Sequence, residues 1–167
     1  MRGQPVDDLK LTIELVPQSS WYNNLRKAVS RQAWDKVRKE AYRACGYRCG
    51  ICSADERLEC HERWAYDDEN HVQRLLGFVA LCELCHHVKH IGLAQILAQQ
   101  GQLDYEQVVA HFMRVNGCDR ETFDAHEARA FEVWTKRSQH PWKVDFGAYA
   151  ALVNPTRAPA GHGSPVL

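Results

Sequence analysis

Alternating and helically spaced apolar residues predict the elements of the N-terminal third. The stretch LKLTIELV (9–16) alternates and is rich in β-branched residues, which predicts a strand that ends at Pro17. A serine at position 19 or 20 is suited to cap a helix that starts near Trp21. Over residues 31–44 the apolar side chains share one helical face and the basic ones lie elsewhere, which predicts a basic amphipathic helix.

The middle of the chain changes to a strand pattern. RLECHERW (57–64) and HVQRLLGFVAL (71–81) predict two strands, because the polar sequence AYDDEN between them is typical of a turn. A helix that carries His86 and His90 is expected after Cys82, and Gly92 is expected to interrupt it.

Helices return in the C-terminal part. One is predicted at 104–115, with Asp104 as its N-cap, and a longer one at about 120–138. These two helices are candidates for a homodimer or larger-assembly surface, although core packing explains their apolar stripes more simply. WKVDFG (142–147) predicts a last strand, and the Pro/Gly-rich tail from Asn154 is expected to be disordered.

Composition and length are those of a globular domain. Hydrophobic residues make up 45% of the 167 residues and charged residues 25%. The longest apolar run, LLGFVALC (75–82), is far too short to span a membrane, and the first ten residues lack the apolar core of a signal peptide. We therefore expect a cytoplasmic protein without a membrane partner, in which the seven cysteines are metal ligands or free thiols.

Basic residues are concentrated near the N-terminus although the formal net charge is zero. Residues 20–48 contain eight Lys or Arg against Asp35 and Glu40, an excess of six positive charges. This asymmetry favours an anionic partner for the N-terminal third, and a solvated helix face is an equally good explanation.

Two Cys-x-x-Cys pairs are the strongest chemical feature of the sequence. They are Cys49 with Cys52 and Cys82 with Cys85. This spacing lets two thiolates reach one ion, and two such knuckles complete a zinc tetrahedron. The 29 residues between the knuckles (53–81) exceed a plain zinc ribbon and leave room for the predicted hairpin. The alternative, four buried free cysteines, leaves the repeated spacing unexplained.

Histidines next to the second pair indicate another metal site. His86 and His90 are four residues apart and share one helical face, whereas His87 faces away. Their face is expected to meet the hairpin at Cys60 and His61. Alternatively, one of the two histidines replaces a cysteine at the zinc, although four thiolates already satisfy that ion. Cys60 is either a further ligand or a small buried apolar residue.

The pattern CGIC…LECHERW…LGFVALCELCHHVKH, over about residues 45–92, resembles the HNH endonuclease family in its version braced by a four-cysteine zinc. The resemblance implies a ββα-metal core, in which a hairpin packs on a helix, and it does not account for the flanking segments. With the mostly helical flanks predicted above, we expect an α+β fold that comprises an N-terminal strand with basic helices (1–44), the core (45–92), a C-terminal helical region (93–153) and a tail (154–167).

The resemblance also implies an activity, the hydrolysis of DNA phosphodiester bonds. In it His61 takes the position of the general base, and His86 and His90 take those of ligands to a catalytic divalent metal. Two imidazoles, with or without the Cys60 thiolate, suit Zn²⁺, Ni²⁺, Co²⁺ or Mn²⁺ better than Mg²⁺. Backbone phosphates are expected to meet the basic side chains of Arg31, Arg38, Lys39, Arg43 and Lys89.

Two positions depart from the family pattern. Cys60 stands where an acidic residue or histidine usually ligates the metal, and Gly77 stands where the middle asparagine usually lies. Glu59 and Glu62 are possible oxygen ligands, both expected on the strand face opposite Cys60. The alternative to a nuclease is a catalytically decayed, zinc-containing module that binds nucleic acid or a partner. His111 is expected at the surface, without a role in a site.

Overall fold

The computed structural model describes residues 8–156, which form a mixed α+β fold as expected. In chain order the elements are α1 (Leu25–Ala28), α2 (Arg31–Ala44), β1 (Leu58–Asp67), β2 (Val72–Cys82), α3 (Glu83–Lys89), α4 (Ile91–Gln99), α5 (Tyr105–Asn116), α6 (Arg120–Arg137) and β3 (Lys143–Asp145). Short 3-10 turns lie at Gln18–Ser20 and Gly147–Leu152. None of the helices in the described part of the chain has the length and apolar character to cross a membrane.

The predicted hairpin is the centre of the sheet. β1 and β2 pair antiparallel from Leu58 opposite Cys82 to Asp67 opposite Val72. The register shifts between Arg63 and Trp64, where a bulge increases the local twist. β3 pairs in parallel with the start of β2, so β1 forms one edge of the three-stranded sheet.

The predicted strand at 9–16 is wrong as an element of the sheet. Leu11 and Ile13 of this segment are buried, but helices supply its hydrogen bonds, one of them from Glu14 N to the backbone oxygen of Lys89 (3.0 Å). The Asn116 amide accepts from Leu11 N (3.0 Å) and donates to Leu11 O (2.9 Å). Ile13 N donates to Nε2 of His126 (2.9 Å). The alternating pattern therefore predicted that side chains of this segment are buried, but not that helices would supply the hydrogen bonds of its backbone.

The helix expected from about Trp21 is also wrong, because that residue ends a 3-10 turn. The first α-helix starts at Leu25, and the side chain of Asn24 caps it by accepting from Lys27 N. The helix that follows Cys82 ends at Lys89, three residues before the expected interruption at Gly92. The predicted bounds of α2 and α5 are confirmed, including the N-cap at Asp104.

One hydrophobic core joins the segments on both sides of the hairpin. Its fully buried members come from the 9–16 segment, the end of β2 and helices α3 to α6, and include Leu11, Leu81, Val88, Ile91, Val108, Phe112 and Phe123. A second, smaller cluster packs α1 and α2 against β2. The core therefore crosses the expected divisions of the chain. Asn154 N donates to Ala28 O (2.8 Å), and the rest of the tail beyond residue 156 lies outside the described residues.

Candidate metal centres and the adjoining groove

The four paired cysteines converge as the spacing predicts. The ligand atoms of Cys49, Cys52, Cys82 and Cys85 all lie within 4.8 Å of one another. The first knuckle is folded against β2, because Gly50 N donates to Ala80 O (2.8 Å). A Cβ at Gly50 would meet Val79 at 2.7 Å, so only glycine fits this approach. Four sulfurs so placed are able to hold a tetrahedral ion such as zinc.

His111 is a partner of this cysteine cluster that the sequence did not reveal. It is buried on α5, with Nε2 3.1 Å from Sγ of Cys85 and Nδ1 2.8 Å from a guanidinium nitrogen of Arg114. Arginine only donates, so Nδ1 accepts and the proton of the neutral ring sits on Nε2. Burial lowers the pKa of His111, which favours that neutral form. The ring therefore donates to the sulfur, as expected for the outer shell of a metal-bound thiolate.

We expect His111→Ala to weaken zinc binding about 10- to 100-fold, the usual effect of losing an outer-shell hydrogen bond. Competition with a chromophoric chelator measures this affinity directly. His111→Gln is the matched control, since its amide retains a donor and should recover part of the affinity. Equal zinc affinities for the parent and His111→Ala would show that the contact with Cys85 does not act on the ion.

A second cluster joins the hairpin to the end of α3. One ring nitrogen from each of His61, His86 and His90 lies within 4.8 Å of the other two. The ring centroid of His61 is 5.6 Å from that of His86 and 5.0 Å from that of His90. Burial lowers the pKa of His86, and that of His90 to about 3, which keeps both rings in the neutral, metal-binding form. The structure thus brings together the three histidines singled out in the sequence.

Two of these three rings are in contact with a carboxylate. Oε2 of Glu59 lies 2.6 Å from Nδ1 of His86, which leaves Nε2 of that ring for a metal. Oε2 of Glu14 lies 3.1 Å from Nε2 of His61, and its other oxygen meets the amine of Lys89 at 2.5 Å. Burial opposes the charge of Glu14, but His61 and Lys89 outweigh it and lower the pKa of Glu14 to about 2. Glu14 is therefore a carboxylate at neutral pH.

Cys60 lies on the other face of β1, outside the histidine cluster. Burial raises the pKa of its thiol to about 12, so this side chain stays protonated, as expected of a small apolar residue. The expectation for Glu62 is wrong, because it shares the face of Cys60 and its Oε1 accepts from Leu25 N (2.7 Å). Gly77 lies at the bulge with a φ of 151°.

A groove of about 790 Å³ runs from the histidine cluster along β1 and beneath α1 and α2. Two of the predicted phosphate contacts, Arg31 and Arg38, line it, and Arg26 and Arg57 do so as well. Nothing in the sequence around Arg57 indicated this placement. Aromatic rings complete the walls: Trp21, Trp34, Tyr42, Trp64 and Tyr66.

The other three predicted phosphate contacts lie away from the groove. Lys89 is only 6% exposed, and its amine is held by Glu14 and Thr12 inside the protein. Arg43 is paired with Glu40 on the outer surface of α2. Lys39 is exposed on the same helix.

Comparisons of this chain with protein-family models, with curated proteins and with solved structures found no significant match. The function of the chain is therefore inferred from the two side-chain clusters and from the groove that adjoins the histidine cluster.

Proposed function

We propose that this protein is a metal-dependent endonuclease that hydrolyses phosphodiester bonds in DNA. The observation that carries the proposal is the convergence of His61, His86 and His90 at one end of an arginine-lined groove. A hairpin followed by a helix, with four cysteines where the two meet, supports the same assignment. These elements correspond to the parts expected of an HNH nuclease.

His86 and His90 are the side chains that would hold the catalytic ion. A divalent metal supplies a Lewis acid that offsets the charge on the scissile phosphate and on the leaving oxygen. Glu59 orients His86 for this role by its contact with Nδ1. An imidazole pair favours Zn²⁺, Ni²⁺, Co²⁺ or Mn²⁺ over Mg²⁺, which prefers oxygen ligands.

His61 is the side chain suited to accept the proton of the attacking water. With Nε2 donating to Glu14, its Nδ1 is free to accept. The Glu14 carboxylate then stabilises the imidazolium that forms, as the buried aspartate does in a catalytic triad. Lys89 fixes Glu14 in turn, so two successive contacts, Lys89 to Glu14 and Glu14 to His61, hold the proposed base.

The groove offers positive charge to the DNA backbone. Across residues 8–156, the guanidinium groups of Arg26, Arg31 and Arg57 form no ion pair, whereas Asp35 already pairs with Arg38 (2.8 Å). The groove carboxylates Glu14 and Glu59 are engaged by the histidine cluster. Three uncommitted arginines beside the proposed site therefore remain for phosphate contacts, which act without reading sequence.

The test is nicking of supercoiled DNA by the zinc-loaded protein, with Mn²⁺, Co²⁺, Ni²⁺, Zn²⁺ or Mg²⁺ added in turn. We expect cleavage with one or more of the first four and weak or no cleavage with Mg²⁺. The parent should bind two metal equivalents and the His86→Ala/His90→Ala protein one. His87→Ala is the matched control, because His87 lies on the same helix outside the cluster. Two equivalents in the double variant, or cleavage by it at the parental rate, would exclude the proposed site.

A further inference from the structure

Gln73 is a buried amide without a hydrogen-bond partner. It lies on β2 opposite Tyr66 and has 0% of its surface exposed. In the described part of the chain, its Nε2 and Oε1 are the only buried side-chain nitrogen and oxygen atoms that lack a partner. Such a group is costly to keep unless something satisfies it. The Gln73 amide therefore has one donor group, Nε2, and one acceptor atom, Oε1, that form no hydrogen bond within the described part of the protein.

The amide belongs to the groove that starts at the histidine cluster. Gln73 lines this groove at the end marked by Tyr66, while His61 lies at the other end. Tyr66 follows His61 by five positions on β1, which is roughly 17 Å along an extended strand. Gln73 is thus positioned to act on a part of the substrate a few nucleotides away from the bond to be cut.

The walls between these two ends suit an unpaired nucleotide. Trp21, Trp34 and Trp64 line the groove, and Trp21, which is 44% exposed, leaves its ring accessible for stacking. The uncommitted guanidinium groups of Arg26 and Arg31 line the same groove. Aromatic rings interleaved with arginines are typical of sites for single-stranded nucleic acid, where bases stack and phosphates pair with cations. A volume of about 790 Å³ is also within the range of pockets that enclose a small ligand.

We propose that this groove receives one unpaired nucleobase of the substrate and that the Gln73 amide pairs with the hydrogen-bonding edge of that base. An amide supplies a donor and an acceptor side by side, as in the bidentate pairing of glutamine with adenine. The side chain has no exposed surface, so either Gln73 changes rotamer or its covering neighbours move when the base enters. The inference rests on the proposed function and narrows its substrate to DNA with a single-stranded or extrahelical base.

The buried amide makes the expected discrimination large. A site built around polar groups that have no other partner rejects ligands that cannot pair with them, because those groups then stay unsatisfied. An abasic nucleotide retains the phosphate and sugar but lacks the edge that Gln73 would meet. The comparison between a base and an abasic position therefore isolates the proposed contact from backbone binding.

The experiment measures binding of the zinc-loaded, full-length protein by fluorescence anisotropy, without added catalytic metal. The probes are a DNA duplex, the same duplex with one unpaired adenine, and the same duplex with an abasic residue at that position. We expect the unpaired adenine to be bound roughly 5- to 100-fold more tightly than the abasic probe, the range of one bidentate amide–base pair. Replacing the adenine by each other base then ranks the edges that the amide accepts.

Gln73→Met should remove this preference while leaving the affinity for the abasic probe unchanged, because methionine conserves volume and carries no donor. Gln95→Met is the matched control, since the Gln95 amide on α4 already bonds Tyr105 and Glu127. Should Gln73→Met fail to fold, Trp21→Ala replaces it, because Trp21 lines the groove and is 44% exposed. That variant should also reduce the preference.

Equal affinities for the adenine and abasic probes, or a preference retained in Gln73→Met, would overturn the inference. The outcome is separate from that of the nuclease proposal, because binding is measured without cleavage. Preference for the unpaired base without any DNA cleavage would support the base-binding groove and contradict the nuclease proposal. DNA cleavage without this preference would support the nuclease proposal and contradict the base-binding groove.

Discussion

Replacing His61 with alanine is expected to slow DNA cleavage about 10²- to 10⁴-fold, the usual contribution of a general base. The reason is positional: its ring is 5% exposed, lies against His86 and His90, and is held by the Glu14 carboxylate. In the proposed mechanism the imidazole takes the proton of the attacking water, so its loss is expected to raise the barrier of the chemical step. Single-turnover cleavage of a labelled duplex at saturating metal measures the effect on the chemical step.

Metal content separates two roles for His61. If it is the base, His61→Ala retains two metal equivalents and loses only rate. If it is a third ligand, the variant loses one equivalent as well, because the cluster would then have two imidazoles instead of three. His87→Ala should behave as the parent in both measurements. Parental cleavage rates in His61→Ala would show that the base is another group.

If the four-cysteine cluster holds zinc, loss of that ion is expected to unfold the protein. Cys49, Cys82 and Cys85 are almost fully buried and belong to the main hydrophobic core. Structural zinc contributes roughly 10–16 kcal/mol of apparent binding free energy in small zinc domains, which exceeds the entire stability of many domains. Cys49→Ser or a strong chelator should therefore abolish the cooperative thermal transition followed by circular dichroism.

Cys118→Ser provides the comparison for this effect. Cys118 is a partly buried free thiol outside the cluster, so its substitution should change the melting temperature little. Readdition of Zn²⁺ should restore the transition to the chelated parent but not to Cys49→Ser. An unchanged melting temperature after complete removal of the metal would mean that packing alone maintains the core.

The features that were predictable from the sequence depend on short-range spacing. Two Cys-x-x-Cys pairs and a His-x-x-x-His pair set the positions of thiolates and imidazoles within one turn of chain, and the structure brings each set together. The hairpin and the N-cap at Asp104 followed from local pattern in the same way. Residues close together in the sequence determine such features, so the sequence pattern predicts them.

The features that were missed depend on residues far apart in the chain. Glu14 reaches His61 across 47 positions, and His111 reaches Cys85 across 26. No periodicity encodes either contact, because each arises only when helices pack around the hairpin. The 9–16 segment shows the same limit, since alternation indicated its burial but not that the Asn116 side chain would satisfy its backbone. Gln73 is a single polar residue in a predicted strand, and nothing in the sequence pattern indicates that its amide is buried without a partner.

The contact of Glu14 with His61 means that part of the surroundings of the histidine cluster lies outside residues 45–92. A graft of residues 45–92 into another host would carry all four thiolates and all three imidazoles. It would leave behind Glu14, and it would strip Val88 and Ile91 of the buried neighbours that Leu11 and Phe112 contribute to the core. Residues 45–92 therefore lack part of the setting of both clusters, and a transfer by recombination that preserves this setting has to include the 9–16 segment and α5.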